Sequence, residues 1–111
     1  MGHKNRKVPP QLGRALRSLG EDLRVWRKLR GLTQAQLADR SDVARTTLIR
    51  LENGGGGVST ENLLRVLRAL GILDNLTAAL DPYESDVGRL RSEQQLPARV
   101  RPRSLSDGAD G

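Results

Sequence analysis

One segment of the chain, LTQAQLADRSDVARTTLIRLENG (residues 32–54), predicts two short helices joined by a tight turn. Thr33 is a good first cap, because its hydroxyl can accept a hydrogen bond from a backbone N–H of the first turn. The first helix should end near Ser41, and the second should run over Arg45–Glu52. Gly54 should end the second helix, since glycine adopts the left-handed conformation easily. Five apolar or small side chains should face the core: Leu37, Ala38, Val43, Leu48 and Leu51.

A longer helix is predicted before this segment. It begins at Pro10, a residue suited to a first helical position, and ends at Gly31. Its apolar residues recur at helical spacing and form one stripe: Leu12, Leu16, Leu19, Leu23 and Trp26. Gly20 lies in the middle, and the pattern leaves open whether it divides the helix in two.

Two further helices are predicted after the segment. Ser59 can cap a helix that ends at Gly71. Asp74 can cap a shorter helix that stops before Pro82, because proline disfavours a helical conformation in the residue that precedes it. Residues 85–95 carry only a weak helical pattern.

The length and composition predict one all-α domain with flexible ends. The chain has 111 residues, of which 36% are hydrophobic and 2% aromatic, and it contains no phenylalanine. The core must therefore be built from leucine, valine, isoleucine and alanine, and because β-branched residues are scarce this favours helices over strands. We expect a mobile basic arm (residues 1–9), the domain itself (10–82) and a tail that is weakly helical and then disordered (83–111).

Several classes of protein are disfavoured by what the chain lacks. It has no cysteine, and its one histidine, His3, lies in the predicted arm. A zinc–thiolate site, a disulfide framework and thiol catalysis are therefore not expected, nor are a metal, a cofactor or an enzyme active site. No apolar run is long enough to cross a membrane, and the basic start lacks the apolar segment of a signal peptide. We expect a cytoplasmic protein.

Positive charge is concentrated in the first third of the chain. The net charge is +6 overall, whereas the first thirty residues alone carry a net +7 with nine lysines and arginines. Such a face favours a polyanion such as DNA as the partner. A surface that only keeps the protein soluble is the alternative that charge alone leaves open.

The segment 32–54 resembles the signature of the Cro/C1-type (XRE) helix-turn-helix family, with agreement at apolar, small, turn and cap positions over twenty-three consecutive residues. The resemblance extends from about Leu19 to Leu80. It implies a compact five-helix, lambda repressor-like fold, to which helices at either end can be added. The chain departs from the pattern at two positions. Asp42 stands at a turn position usually held by glycine, and Ala44 leaves the second helix without a side-chain N-cap.

The resemblance implies that the helix Arg45–Glu52 enters the major groove of DNA. Arg45 is the main candidate for bidentate hydrogen bonds to guanine, the commonest specific contact. Thr46 is a candidate for a further base contact, and Arg50 could reach either a base or a phosphate. The alternative is that all three are ordinary exposed helix residues.

Contacts to the DNA backbone are expected from the helix that precedes Arg45–Glu52. Thr33 and Gln34 begin this helix, whose first N–H groups can bind a phosphate. Thr47 is a third candidate, with packing against the preceding helix as its alternative. The alternative for Thr33 is that it only caps the helix, and the alternative for Gln34 is that it is only a solvated helix residue.

The resemblance also implies a buried salt bridge between Arg27 and Glu52, against the alternative of two independently solvated charges. Lys4, Arg6 and Lys7 form the basic arm, which could wrap the duplex or reach its minor groove. A tail that only aids solubility is the alternative for these three residues.

Four consecutive glycines, residues 54–57, also require an explanation. A phosphate-binding NTPase loop follows a strand and ends in lysine and serine or threonine. Here an asparagine precedes the glycines and Val-Ser-Thr follows them. We therefore interpret them as the end of a helix followed by slack chain.

The main functional hypothesis is a sequence-specific DNA-binding regulator, bacterial or phage-encoded and acting at the nucleoid. It should repress its own gene or others as a homodimer on a two-fold-symmetric operator, with two recognition helices about 34 Å apart. The dimer contact is expected from the leading helix through Leu12 and Leu16, or from the last predicted helix. The candidates on that last helix are Leu73, Leu76, Ala79 and Leu80.

The alternative hypothesis is an antitoxin of the HipB or HigA type, which belong to the same family. Such a protein binds a toxin and also represses its own promoter. Residues 83–105 are too polar to fold alone but could order on a partner protein, as coupled folding and binding allows.

Overall fold

The computed structural model describes residues 7–95, which form six α-helices and one turn of 3₁₀ helix, with no strand among them. The helices are α1 (Pro10–Leu29), α2 (Gln34–Ser41), α3 (Arg45–Glu52), α4 (Thr60–Leu70), α5 (Leu73–Leu80) and α6 (Asp86–Gln95), and the 3₁₀ turn is Pro82–Glu84. The all-α class predicted from the sequence is confirmed. None of these helices is both long and apolar enough to cross a membrane.

The chain divides into two compact units, one ending at Asp74 and the other beginning at Asn75. In the second unit, the Asp81 carboxylate accepts a hydrogen bond from the Tyr83 N–H (2.9 Å) and starts the 3₁₀ turn. The Ser85 hydroxyl accepts one from the Gly88 N–H (2.9 Å) and starts α6. The domain boundary predicted after residue 82 stays a prediction.

Helix α1 runs without a break through Gly20, which answers the question that its sequence left open. Gly20 is buried against the end of α3. A Cβ atom added there would lie 2.6 Å from the carbonyl oxygens of both Leu51 and Glu52. Glycine at position 20 therefore allows α1 and α3 to approach each other closely, and it does not interrupt α1.

The apolar stripe of α1 is not buried along its whole length. Leu23 is buried, Leu16 and Leu19 are half-buried, and Leu12 is 49% exposed. The first turns of α1 lie beside the loop that follows α3, where Leu16 faces Gly56. Leu12 therefore contributes apolar surface to the outside of the unit.

The core of the first unit forms where α2 packs on both α3 and α4, and α1 packs on α3. Its most deeply buried apolar side chains are Leu23, Leu37, Leu48, Val66 and Leu70. The end of α1 is joined to α4 because the Arg30 guanidinium donates to the Leu70 carbonyl (2.9 Å) and lies 5.4 Å from the centre of the Trp26 ring. These contacts leave one side of α2 and α3 facing solvent.

The turn between α2 and α3 is closed by Asp42 in the left-handed conformation, with φ +57°. Aspartate tolerates this conformation better than most residues, which explains how it replaces the expected glycine. The following residue, Val43, donates its N–H to the Ala38 carbonyl (3.1 Å) and is half-buried. At the start of α3, Ala44 provides no side-chain cap.

Candidate nucleic-acid interface

Helix α3 has one face in the core and one in solvent. Leu48 and Leu51 are buried, whereas Arg45, Thr46 and Arg50 are exposed. Thr46 and Arg50 are four residues apart and therefore lie one turn from each other on the same side of the helix. All three predicted base-contacting residues therefore lie on the solvent side of α3, with Thr46 and Arg50 stacked one turn apart.

The N-terminus of α2 carries a complete capping box. The Thr33 hydroxyl accepts a hydrogen bond from the Gln36 N–H (3.0 Å), and the Gln36 side chain accepts one from the Thr33 N–H (2.8 Å). The first N–H groups of a helix have no intrahelical partner, and this cap satisfies the one at Gln36. The N–H groups of Gln34 and Ala35 therefore remain as donors that an anion could use.

Gln34 has a role inside the protein that the sequence did not suggest. Its amide nitrogen donates to the Glu52 carboxylate (3.0 Å), and the side chain is half-buried. Because an amide group carries two N–H donors, a phosphate contact would have to use the second one or the backbone N–H. Thr47, the other ambiguous residue, is also half-buried.

Arg27 and Glu52 form a bidentate ion pair, with the Arg27 Nε 2.6 Å and Nη2 3.0 Å from the two carboxylate oxygens. The Glu52 side chain is fully buried, and that of Arg27 is 10% exposed. Arg27 also donates to the Leu32 carbonyl (3.0 Å), just before α2. With Gln34, this network joins α1, α2 and α3 at one point.

Arg24 adds a second cation to the end of α3. Its guanidinium donates to the Asn53 side chain (3.0 Å) and to the Glu52 backbone carbonyl (3.4 Å), and its Nε lies 3.6 Å from the Glu52 carboxylate. The last carbonyls of a helix lack intrahelical partners and attract positive charge. Sequence reasoning missed Arg24 and gave Gly20 no role, although Gly20, Arg24 and Arg27 have the spacing of one helix face.

Burial alone would raise the pKa of Glu52, but its partners outweigh burial and lower that pKa below the ordinary value of 4.5. The partners are the hydrogen bonds from Arg27 and Gln34 and the positive charges of Arg27 and Arg24. Glu52 is therefore a carboxylate at neutral pH, held by three side chains.

A lowered pKa in the folded state makes stability depend on pH. On acidification the unfolded chain binds the proton first, so the free energy of unfolding should fall as the pH drops through 4.5 and below. Urea unfolding at a series of pH values should show this loss in the wild type. In Glu52→Gln this component should be absent, so the stability difference between the two proteins should shrink in acid. A difference that stays constant down to acidic pH would contradict the assignment.

The glycines after α3 form a helix end and not a nucleotide-binding loop, because the element before them is a helix. Gly54 has φ +79° and donates to the Leu51 carbonyl (3.1 Å), and Gly55 donates to the Arg50 carbonyl (2.8 Å). A Cβ on Gly54 would lie 3.0 Å from the Arg17 Cα. The loop is therefore packed against α1 at this point.

The predicted basic arm lies largely outside the described residues. Lys4 and Arg6 are not described, and Lys7 is exposed. Within residues 7–95 no group of three or more histidine, cysteine, aspartate or glutamate side chains could hold a metal ion.

Comparison with family models matches residues 23–73 to a family described as Helix-turn-helix. Comparisons with curated proteins and with solved structures gave no match. The matched region begins at Leu23 in α1 and ends at Leu73, so it includes α2, α3 and α4 entirely. The match to residues 23–73 supports a helix-turn-helix domain of the Cro/C1 type and with it a DNA-binding transcription regulator.

Proposed function

We propose that the protein is a sequence-specific transcriptional repressor that inserts α3 into the major groove of its operator. The observation that carries this proposal is the exposed face of α3, where Arg45, Thr46 and Arg50 lie together. The opposite face is held in the core by Leu48 and Leu51. A rigid helix with hydrogen-bonding groups on its free side can read base edges without first having to become ordered.

The DNA backbone would be bound by groups at the start of α2. The Gln34 and Ala35 N–H groups and the positive end of the helix dipole can hold one phosphate, with Thr33 beside them. Thr47 adds a hydroxyl on α3. The basic arm with Lys4, Arg6 and Lys7 would extend this contact along the duplex and place the protein at the nucleoid.

One recognition helix contacts only a few base pairs, so we propose a homodimer on a two-fold-symmetric operator. Two apolar surfaces are candidates for the interface. One is on α1, where Leu12 is 49% exposed and Leu16 is half-buried, and the other is on α5, where Leu80 is 74% exposed. The other α5 candidates are Leu73, Leu76 and Ala79.

Arg45→Ala should weaken binding to the specific site about 5- to 150-fold, which corresponds to the loss of one bidentate base contact of about 1–3 kcal/mol. Binding to unrelated DNA should change much less, because phosphate contacts dominate it. A footprint on the DNA upstream of the gene, with excess competitor DNA at physiological salt, measures both effects. Protection of a two-fold-symmetric site by the wild type is expected.

Arg68→Ala is the matched control, since Arg68 is also exposed but lies on α4, outside the predicted interface. It removes the same charge and should leave the footprint within about twofold of the wild type. Equal loss in the two variants would mean that only net charge matters. The assignment of α3 as the recognition helix would then be wrong.

An antitoxin remains the alternative, and one observation favours it. Val87 and Leu90 on α6 are 66% and 57% exposed and lie three residues apart, so they form an apolar strip on one side of the helix. Co-expression with the product of the adjacent gene distinguishes the two proposals. A stable complex that Val87→Asp abolishes would favour the antitoxin.

A further inference from the structure

The residue that follows the glycine cap of α3 is Gly55, and a glycine is unusual at this position. The Gly54 N–H bonds to the Leu51 carbonyl and the Gly55 N–H to the Arg50 carbonyl, which is the hydrogen-bond pattern of a Schellman motif. In a Schellman motif, the side chains at the two positions that Gly55 and Arg50 occupy here commonly pack against each other. Here glycine has no side chain, and the methylenes of Arg50 occupy the space. A Cβ atom on Gly55 would lie 2.6 Å from the Arg50 Cγ, 3.1 Å from the Arg50 carbonyl oxygen and 3.5 Å from the Arg50 Cδ, so the shortest contact is with the side chain.

We propose that Gly55 is a specificity-determining residue. Because Gly55 has no Cβ, the Arg50 side chain can adopt the rotamer in which it is presented to DNA. This inference rests on the proposed function of α3. Gly55 would touch no base itself and would act only through the direction of the Arg50 side chain. It is therefore a positioning residue.

An alanine at this position would displace the side chain of Arg50 more readily than the loop. Gly55 does not have a positive φ, so its backbone conformation is open to alanine. The loop is held by the 2.8 Å hydrogen bond from Gly55 and by the packing of Gly54 on Arg17. Cγ is the first atom beyond Cβ, so relieving the contact requires a rotation of about 120° at χ1 of Arg50. Such a rotation carries the guanidinium to a different place on the surface.

The neighbouring glycine provides a matched control. Gly56 also lacks a positive φ, but a Cβ there would meet only the Leu16 Cδ1, at an ordinary 3.8 Å. Gly56→Ala therefore adds the same methyl group to the same loop without touching Arg50. Gly57 is unsuitable as a control, since its φ of +79° would itself strain an alanine.

The test begins with selection of binding sites from a randomised DNA library by the full chain. Affinity for the selected site is then measured for the wild type, Gly55→Ala, Gly56→Ala, Arg50→Ala and the double variant Gly55→Ala/Arg50→Ala. Gly55→Ala should weaken binding about 5- to 150-fold, as loss of one base contact does, and relax selection at the same base pair as Arg50→Ala. Gly56→Ala should stay within about twofold of the wild type, and Gly55→Ala should add less than about twofold once Arg50 is already alanine.

Two results would overturn the inference while leaving the proposed function intact. One is wild-type affinity and selection in Gly55→Ala, and the other is an equal loss from Gly55→Ala whether or not Arg50 is present. If the wild type selects no sequence, the proposed function fails first. The placement of the side chain is then tested without DNA, by nuclear Overhauser contacts between the Gly55 Hα and Arg50 Hγ protons of the wild-type chain. Their absence would refute the contact, and this measurement also serves if Gly55→Ala does not fold.

Discussion

Replacing Arg27 with methionine should lower the free energy of unfolding by about 3–5 kcal/mol, the usual cost of leaving one partner of a buried ion pair alone. Glu52 would keep its fully buried carboxylate, with Gln34 at 3.0 Å and Arg24 at 3.6 Å as its remaining partners. Domains of this size are stable by only about 5–15 kcal/mol, so the loss is a large part of the total. Urea unfolding followed by circular dichroism and by the fluorescence of Trp26, the single tryptophan, measures it.

Two further variants separate the charge from the packing. The double variant Arg27→Met/Glu52→Met removes both charges and should be more stable than Arg27→Met, because no unpaired buried charge remains. Arg65→Met removes one partner of an exposed pair with Glu61 and should cost less than about 1 kcal/mol. If Arg27→Met costs no more than Arg65→Met, the buried network does not hold the domain together.

Gly20→Ala should destabilise the protein by about 2–4 kcal/mol relative to Gly13→Ala, although both replacements are made in the same helix. The new methyl group would lie 2.6 Å from two backbone carbonyl oxygens of α3. Helix α1 cannot simply move away, because Arg24 and Arg27 tie it to the same end of α3. Strain and broken hydrogen bonds are therefore expected together.

Gly13 isolates the effect of helix propensity. A Cβ there would meet only side-chain atoms of Arg17 and Val8, at 3.5 Å and 3.9 Å. Gly13→Ala should therefore stabilise the protein by about 0.5–1 kcal/mol, as alanine does in an unobstructed helix. Thermal and urea unfolding of both variants give the comparison. Equal stabilisation by the two alanines would show that α1 and α3 are not in close contact at Gly20.

Both predictions concern the same structural task, which is to hold α3 at one angle. The C-terminus of α3 meets Gly20, Arg24 and Arg27 on one face of α1, and Gln34 of α2 completes the network at Glu52. If α3 is the recognition helix, as proposed, this network keeps its exposed side chains in fixed positions before DNA arrives. We expect preorganisation of this kind to improve both affinity and specificity.

Much of the local structure could be predicted from the sequence. The bounds of α2 and α3 follow from Thr33, the position of Asp42 and the glycine at 54, because caps and turns depend on residues close together in the chain. The absence of a side-chain cap at Ala44 could be predicted for the same reason. The exposed side of α3 followed from the spacing of Leu48 and Leu51, since helical periodicity separates an inner from an outer face.

Contacts between residues distant in sequence were harder to predict from the sequence. The pairing of Arg27 with Glu52 could be expected only from a family resemblance, because spacing along the chain does not show whether two residues twenty-five positions apart on different helices will meet. The bond from Gln34 to Glu52 was not expected at all. It exists because α2 and α3 bring the two side chains to within 3.0 Å.

The sequence by itself determined the bounds of α2 and α3 and which side chains of α3 face outward, since these depend on local periodicity and capping. The prediction that Asp74 caps α5 was wrong, because α5 begins at Leu73 and Asp74 lies in its first turn. Only the tertiary structure decided what the glycines and α1 arginines are for. Gly20 is a place where two backbones meet, Gly55 leaves room for Arg50, and Arg24 binds the end of α3. The physical reason is that a close approach or a buried charge acquires its meaning from atoms that folding brings near, and those atoms come from other parts of the chain.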